Sequence, residues 1–278
     1  MTTSAVTTRT AGRARGVPAG RAGLGGAMRS ELTKIRSTRS TYWALLAVIV
    51  ATVGFGALAS FATAQHPQDL GPGFDATQRS LDGLYISQLI IAVLGALTIT
   101  SEYSTGMMRT SLAALPRRGT VFAAKGIVFT GVALVTGLVT TFAAFFLGQA
   151  LMSGKHINAT LGQPNVLRAV IGGALFLTVC GLLAFGIGMI LRHTAGAITA
   201  TIGLLFVLSV VVQVLPESWQ AHVDKWMPAL AGSGIWATVG PARGDTPMFS
   251  AWAGFAVLAG YAAVAMAGGL VVFFRRDA

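Results

Sequence analysis

The chain has 278 residues, 54% of them hydrophobic and only 10% charged, with a mean hydropathy of +0.69; an ordinary soluble domain carries about 25% charged residues. This composition excludes a soluble globular domain and describes a polytopic membrane protein. The formal charge of +11 would point to nucleic acid in a soluble chain, but here its placement decides, and the single cysteine, Cys180, lies in an apolar run where it can form no intrachain disulfide.

Residues 1–27 are mostly Thr, Ala, Gly and Arg with no acidic residue, a composition that cannot bury enough surface to fold, so they read as a disordered basic tail. No apolar h-region marks a secretory signal, and Met28 is a candidate start of the native protein. Attraction of Arg9, Arg13, Arg15 and Arg21 to anionic lipid explains the tail more economically than nucleic acid does.

Residues 28–278 read as one all-α, six-helix transmembrane domain. Its apolar runs, each near or above the roughly 20 residues that cross a bilayer, are Tyr42–Ala64, Leu84–Thr100, Val121–Met152, Val166–Leu191, Ala195–Leu215 and Ser250–Phe274. The small-xxx-small pairs Ala184/Gly188 and Gly196/Ala200 are candidate helix contacts, though a chain this rich in Gly and Ala produces the spacing by chance. With the N-terminus inside, fifteen basic residues face the cytoplasm and five face out, while six of the nine acidic residues fall outside. Both termini are therefore expected in the cytoplasm of a multi-pass cell-membrane protein.

Two outer loops, His66 to Gly83 and Ser153 to Asn165, read as solvated. The third, Pro216 to Phe249, carries Trp219, Trp226 and Trp236, which free solvent seldom keeps, and is expected in the interface or re-entering the bilayer against protein.

Between the second and third runs lies Ser101 to Arg118, short, basic and amphipathic. Thr100 or Ser101 is expected to cap a helix with Glu102 at its positive end; Met108, Leu112 and Leu115 form one stripe, Pro116 stops it, and Arg117 and Arg118 hold it at a membrane surface. Glu102 and Arg109 would lie two turns apart on that helix. The wording Glu102-Tyr103-x-x-Gly106-x-x-Arg109-x-x-Leu112-x-x-x-Pro116-Arg117-Arg118, followed by Ala124-Lys125, resembles the cytoplasmic loop of ABC-2 type ABC transporter permeases. The basic segment with Glu31, Lys34, Arg36 and Arg39 looks like that family's amphipathic lead-in helix, and Leu215-Pro216-x-x-Trp219 to Pro228 like its segment before the last span.

The resemblance implies a permease subunit whose loop, a coupling helix between helices 2 and 3, docks on a separate ATPase subunit. It implies pairing with a second permease subunit, a copy or a related chain, and a cap on the outer end of the pathway before the last span, where Trp219 and Trp226 are expected either as the apolar stoppers of an outer gate or as an interfacial aromatic belt. ATP and Mg would be held by the partner, with no cofactor, metal or nucleic acid in this chain. Consistent with that, the nearest approach to a P-loop, Gly154-Lys155, has Gln149 and His156 where the pattern needs Gly and Ser or Thr. The four histidines are scattered, and no G-x-S-x-G or H-E-x-x-H occurs, so nothing supports an intramembrane protease. Lys125, Arg168 and Arg192 lie near span ends where they are expected to snorkel, and the centres of the runs lack the ionisable groups of proton-coupled carriers. The reading is an ATP-driven exporter of unidentified solute; the alternative from another class is a non-transporting membrane scaffold or regulatory subunit.

Overall fold

The computed structural model describes residues 23–71, 73–114, 117–239, 242–243, 246–247 and 249–276. It is helical almost throughout. A lead-in helix, α1 (Leu24–Ser37), breaks at Thr38 and passes into the first span, α2 (Arg39–Gln65). A short helix, α3 (Ala76–Ser80), precedes the second span, α4 (Leu84–Ser104), and α5 (Met107–Ala114) joins that span to the third, α6 (Arg118–Ser153). The fourth span is α7 (Val166–Leu191). The fifth is composite: α8 (Thr194–Ile202), a π-helical stretch at Gly203–Val207, and α9 (Leu208–Val212). Two short helices, α10 (Glu217–Asp224) and α11 (Pro228–Ser233), and a two-residue ladder of β1 (Ala242–Arg243) with β2 (Thr246–Pro247) lead to the last span, α12 (Ala251–Arg276). The described residues thus contain six helices long and apolar enough to cross a membrane.

The six expected runs are all helical, and α7 has the expected ends. The second span is longer than expected, for a local reason. Thr100 Oγ1 donates to the Ala96 carbonyl at 3.0 Å and Ser101 Oγ to the Leu97 carbonyl at 2.6 Å, so both hydroxyls are spent inside α4 and neither caps a new helix. The break falls at Gly106, whose φ of +73° suits glycine, and α5 starts at the next residue. Leu115 and Pro116, the expected stripe end and stop, lie outside the described residues.

α7 is the hub, packed against α4, α6, α8 and α12. Lipid offers no hydrophobic drive for helix association, so close backbone approach has to supply the contact. At the α4–α7 crossing a Cβ on Gly95 would sit 2.2 Å from the Gly181 carbonyl oxygen, so only glycine fits. Ala184 and Gly188 pack on this same helix, against Gly95 and Ala96, whereas a Cβ on Gly196 would meet only its own neighbours Leu191 and His193. Of the two small-residue pairs, the first is a helix contact.

At the end of the bundle remote from α1 and α5, Ser153 to Asn165 has no buried residue, as expected of a solvated loop, whereas the second half of His66 to Gly83 turns inward. Ala76, Thr77, Ser80 and Leu81 are buried, and Gln149 of α6 ties the loops together: its Nε2 donates to the Ala76 carbonyl and to Ser80 Oγ, and its Oε1 accepts the Ala159 N–H. The third of these segments, expected in the interface or re-entering, is in part buried against protein. Pro228, Ala229, Ala231, Gly232 and the 3₁₀ turn Gly234–Trp236 are buried against α7 and α12. Buried irregular backbone needs partners for its polar groups, and two side chains provide them. Arg168 donates to the Ile235 carbonyl at 3.0 Å and the Ala237 carbonyl at 2.8 Å, while Asp75 accepts the N–H groups of Thr238 and Val239. Arg168 is therefore a clamp on this segment rather than a snorkelling residue.

Candidate coupling surface at the basic end

The other end of the bundle gathers α1, α5, the start of α6, the α7–α8 turn and the end of α12. Arg118 donates to the Phe274 carbonyl at 3.0 Å and Arg192 to the Val272 carbonyl at 3.2 Å, which fixes the last span against the third and fourth at this level. Thr194 Oγ1 meets Thr100 Oγ1 at 3.0 Å, tying the start of α8 to α4.

Its centre is a cluster of two lysines and two glutamates from three helices. Ala27 and Glu31 are four residues apart on α1 and both turn inward, with Lys34 one turn further along the same face. Lys125, two turns into α6, lies beneath them with a side chain fully buried. Its Nζ donates to Glu31 Oε2 at 2.8 Å and to Glu102 Oε1 through a very short contact. Lys34 Nζ donates to Glu31 Oε1 at 2.8 Å, Glu102 Oε1 at 3.1 Å and Ser111 Oγ of α5 at 3.3 Å. The cluster is neutral and joins α1, α4, α5 and α6. An unpaired buried ion costs several kcal/mol, which is why each lysine here touches both carboxylates. Burial works against the charge of Lys34, but its hydrogen bond to Glu31 and the charges of Glu102 and Glu31 outweigh that and hold its pKa above the usual 10.5. The sign is that of a cation gaining partners: its contribution to docking α1 is complete at neutral pH and is lost only as pH rises past 10.5 through the raised value.

Three of the sequence-predicted residues, Glu31, Lys34 and Glu102, thus meet at one point. Glu102 does so from the last turn of α4, not from the first turn of a coupling helix as expected, so it and Arg109 are on different helices. Lys125 is likewise buried and ion-paired instead of snorkelling, because α1 lies over it and brings Glu31. Tyr103 packs beside the cluster, its hydroxyl donating to Met189 Sδ at 3.6 Å and its ring under Arg192 at 4.8 Å.

On α5, Met108 is buried and Leu112 packs on the core, so the helix lies with its apolar side on the bundle. Arg109 flanks that side and is exposed, and Arg117 is exposed at the start of the next span. Arg36 and Arg39 are exposed as well. Trp219 and Trp226 are at the far end, 66% and 52% exposed, whereas Trp236 is fully buried between Tyr85 and Phe176. Lys125, Ser111, Asp75 and Arg168 escaped sequence reasoning as structural partners; the available signal was a charged residue inside or at the mouth of an apolar run, which demands a counter-charge or carbonyls. No group of His, Cys, Asp or Glu among the described residues could hold a metal ion.

A family model described as ABC-2 family transporter protein matches residues 27–211, more than half of the chain, from α1 through the fifth span. No curated protein matches the chain. An amphipathic lead-in helix, six spans and a short helix lying between the second and third agree with that match, and the chain belongs to the ABC-2 transporter family.

Proposed function

We propose that the chain is the permease subunit of an ATP-driven exporter, with α5 as the helix that docks on a separate ATPase subunit. The observation that carries this reading is the posture of α5. It is laid across the basic end with Met108 and Leu112 against the bundle and Arg109 outward, one glycine turn from the second span and a few residues from the third. A push on such a helix reaches both spans at once. Glu102, Tyr103, Gly106 and Leu112 hold it in place from behind, and Arg117 and Arg118 secure its exit; Pro116 has the same role by its position in the motif.

In this reading the basic end and both termini face the cytoplasm, ATP and Mg are bound by the partner, and a second permease copy or related chain completes the path in the cell membrane. Six spans with exposed apolar faces, notably on the first, fifth and last, support pairing. Trp219 and Trp226, exposed on one chain, form the outer gate of the assembled pair. Arg109→Glu tests the docking. We expect normal membrane insertion with at least a tenfold loss of co-purifying ATPase, on the scale of a charge reversed at an interface; undiminished co-purification would return α5 to a surface connector.

A further inference from the structure

A groove of about 610 Å³ runs between α1, α2 and α6 on the outer surface of the bundle. Leu32 and Ile35 of α1, Leu45 of α2 and Val128 and Val132 of α6 line it, and Arg36, Thr41 and Tyr42 stand among its polar lining. It reaches along α6 from Ile127 to Val135, about 12 Å at 1.5 Å per residue, and both of those side chains are exposed. Its lining therefore runs from cationic and hydroxylic to mainly aliphatic along the direction of the spans, with the Thr136 hydroxyl at its far end.

The charges of α1 sharpen that polarity. Glu31 and Lys34 turn inward and are neutralised in the buried cluster. What α1 and the start of α2 present outward is Arg29, Arg36 and Arg39, all exposed and without an ion pair among the described residues. The helix thus has no anion of its own on the side that borders the groove. A second copy seated here would bring another set of uncompensated arginines, whereas an amphiphile with an anionic head and an aliphatic tail complements both parts.

We propose that this groove is a binding site for one anionic phospholipid, its phosphate against Arg36 with the hydroxyls of Thr41 and Tyr42 beside it, and an acyl chain along α6 from Val128 to Val135. The site rests on the membrane location shown by the family and not on the coupling role of α5. The occupied groove fixes the distance between α1 and α6 on the side that the charge cluster leaves open.

Gly131 gives a direct test, because it lines the groove and a Cβ there meets nothing within 4 Å, so Gly131→Phe fills the groove without clashing at its root. The detergent-purified, delipidated protein is titrated with phosphatidylglycerol or phosphatidylcholine, and bound lipid is counted by native mass spectrometry. One phosphatidylglycerol per chain is expected, in preference to phosphatidylcholine. Arg36→Gln should weaken phosphatidylglycerol by about fivefold, the worth of one arginine near an anionic headgroup, with Arg36→Lys close to the parent, and Gly131→Phe should remove the bound lipid. The proposal is overturned if Gly131→Phe leaves phosphatidylglycerol binding intact, since the phosphate is then held at the surface alone. Equal competition by soluble glycerol phosphate would identify a free-phosphate site, and a change in oligomer mass with unchanged lipid count would identify a contact between copies; either also overturns it.

Discussion

Lys125→Met is the substitution on which the buried cluster can be judged. It is nearly isosteric and leaves Glu31 and Glu102 to share Lys34. Removing one partner of a buried ion pair costs about 3–5 kcal/mol. Lys34 keeps 27% of its side chain exposed, so water relieves part of the imbalance, and the lower figure of about 3 kcal/mol is expected. At about 1.4 kcal/mol per decade that raises the undocked population of α1 by about two orders of magnitude. Trypsin reads this population at Arg36, identified by mass, provided cleavage is slow relative to redocking. The companion variant Lys125→Met with Glu31→Gln removes one charge of each sign and leaves the Lys34–Glu102 contact, so its cleavage should rise less than about tenfold, as for a buried pair replaced as a unit. If Lys125→Met is cut no faster than the parent, or the paired variant is cut as fast as the single one, charge balance is not what docks α1.

Three further outcomes follow from the packing. Gly95→Ala should lower the thermal midpoint markedly, by overpacking of about 1–3 kcal/mol or more, because its methyl would collide with the Gly181 carbonyl; Gly131→Ala, measured in the same scan, should be neutral. Arg168→Lys should not rescue Arg168→Ala, since one ammonium cannot reproduce a fork that meets the carbonyls of Ile235 and Ala237. Both should redden and quench the emission of Trp236, and an unchanged spectrum would dismiss the clamp. Trp219→Ala with Trp226→Ala should alter ATP-dependent transport without reducing assembled complex if they form the outer gate; strong bromolipid quenching of these two rings would place them in lipid instead.

Apolar length made the spans legible, and α7, flanked by Asn165 and Arg192 in left-handed conformations, could be bounded to the residue. The end of α4 could not, because Ser101 and Thr100 suit a helix cap and a helix interior equally, and only the structure shows both hydroxyls returned to carbonyls of α4 itself. The cluster itself needed α1 folded back over α6, a long-range arrangement that local periodicity does not encode. Burial of part of the segment before the last span was readable from its prolines and tryptophans. Which tryptophan went inside was not, since Trp236 is selected by Tyr85 and Phe176 from other spans.

The π-helical stretch at Gly203–Val207 has a consequence for the fifth span. Four of its buried positions, Ala197, Thr201, Leu205 and Ser209, recur every fourth residue before Val212 follows after three, whereas an α-helix turns in 3.6, so an unbroken α-helix would carry the four-residue stripe steadily around its axis. The wider turn absorbs the drift and keeps the stripe on the bundle. It also acts as a spare link in the rod. Sliding the wide turn along the span re-aims the residues it passes by about 100° each, while every carbonyl it leaves finds a new N–H. Val210 and Val211, which now face outward, are turned toward another surface by such a slide without unwinding the helix that carries them.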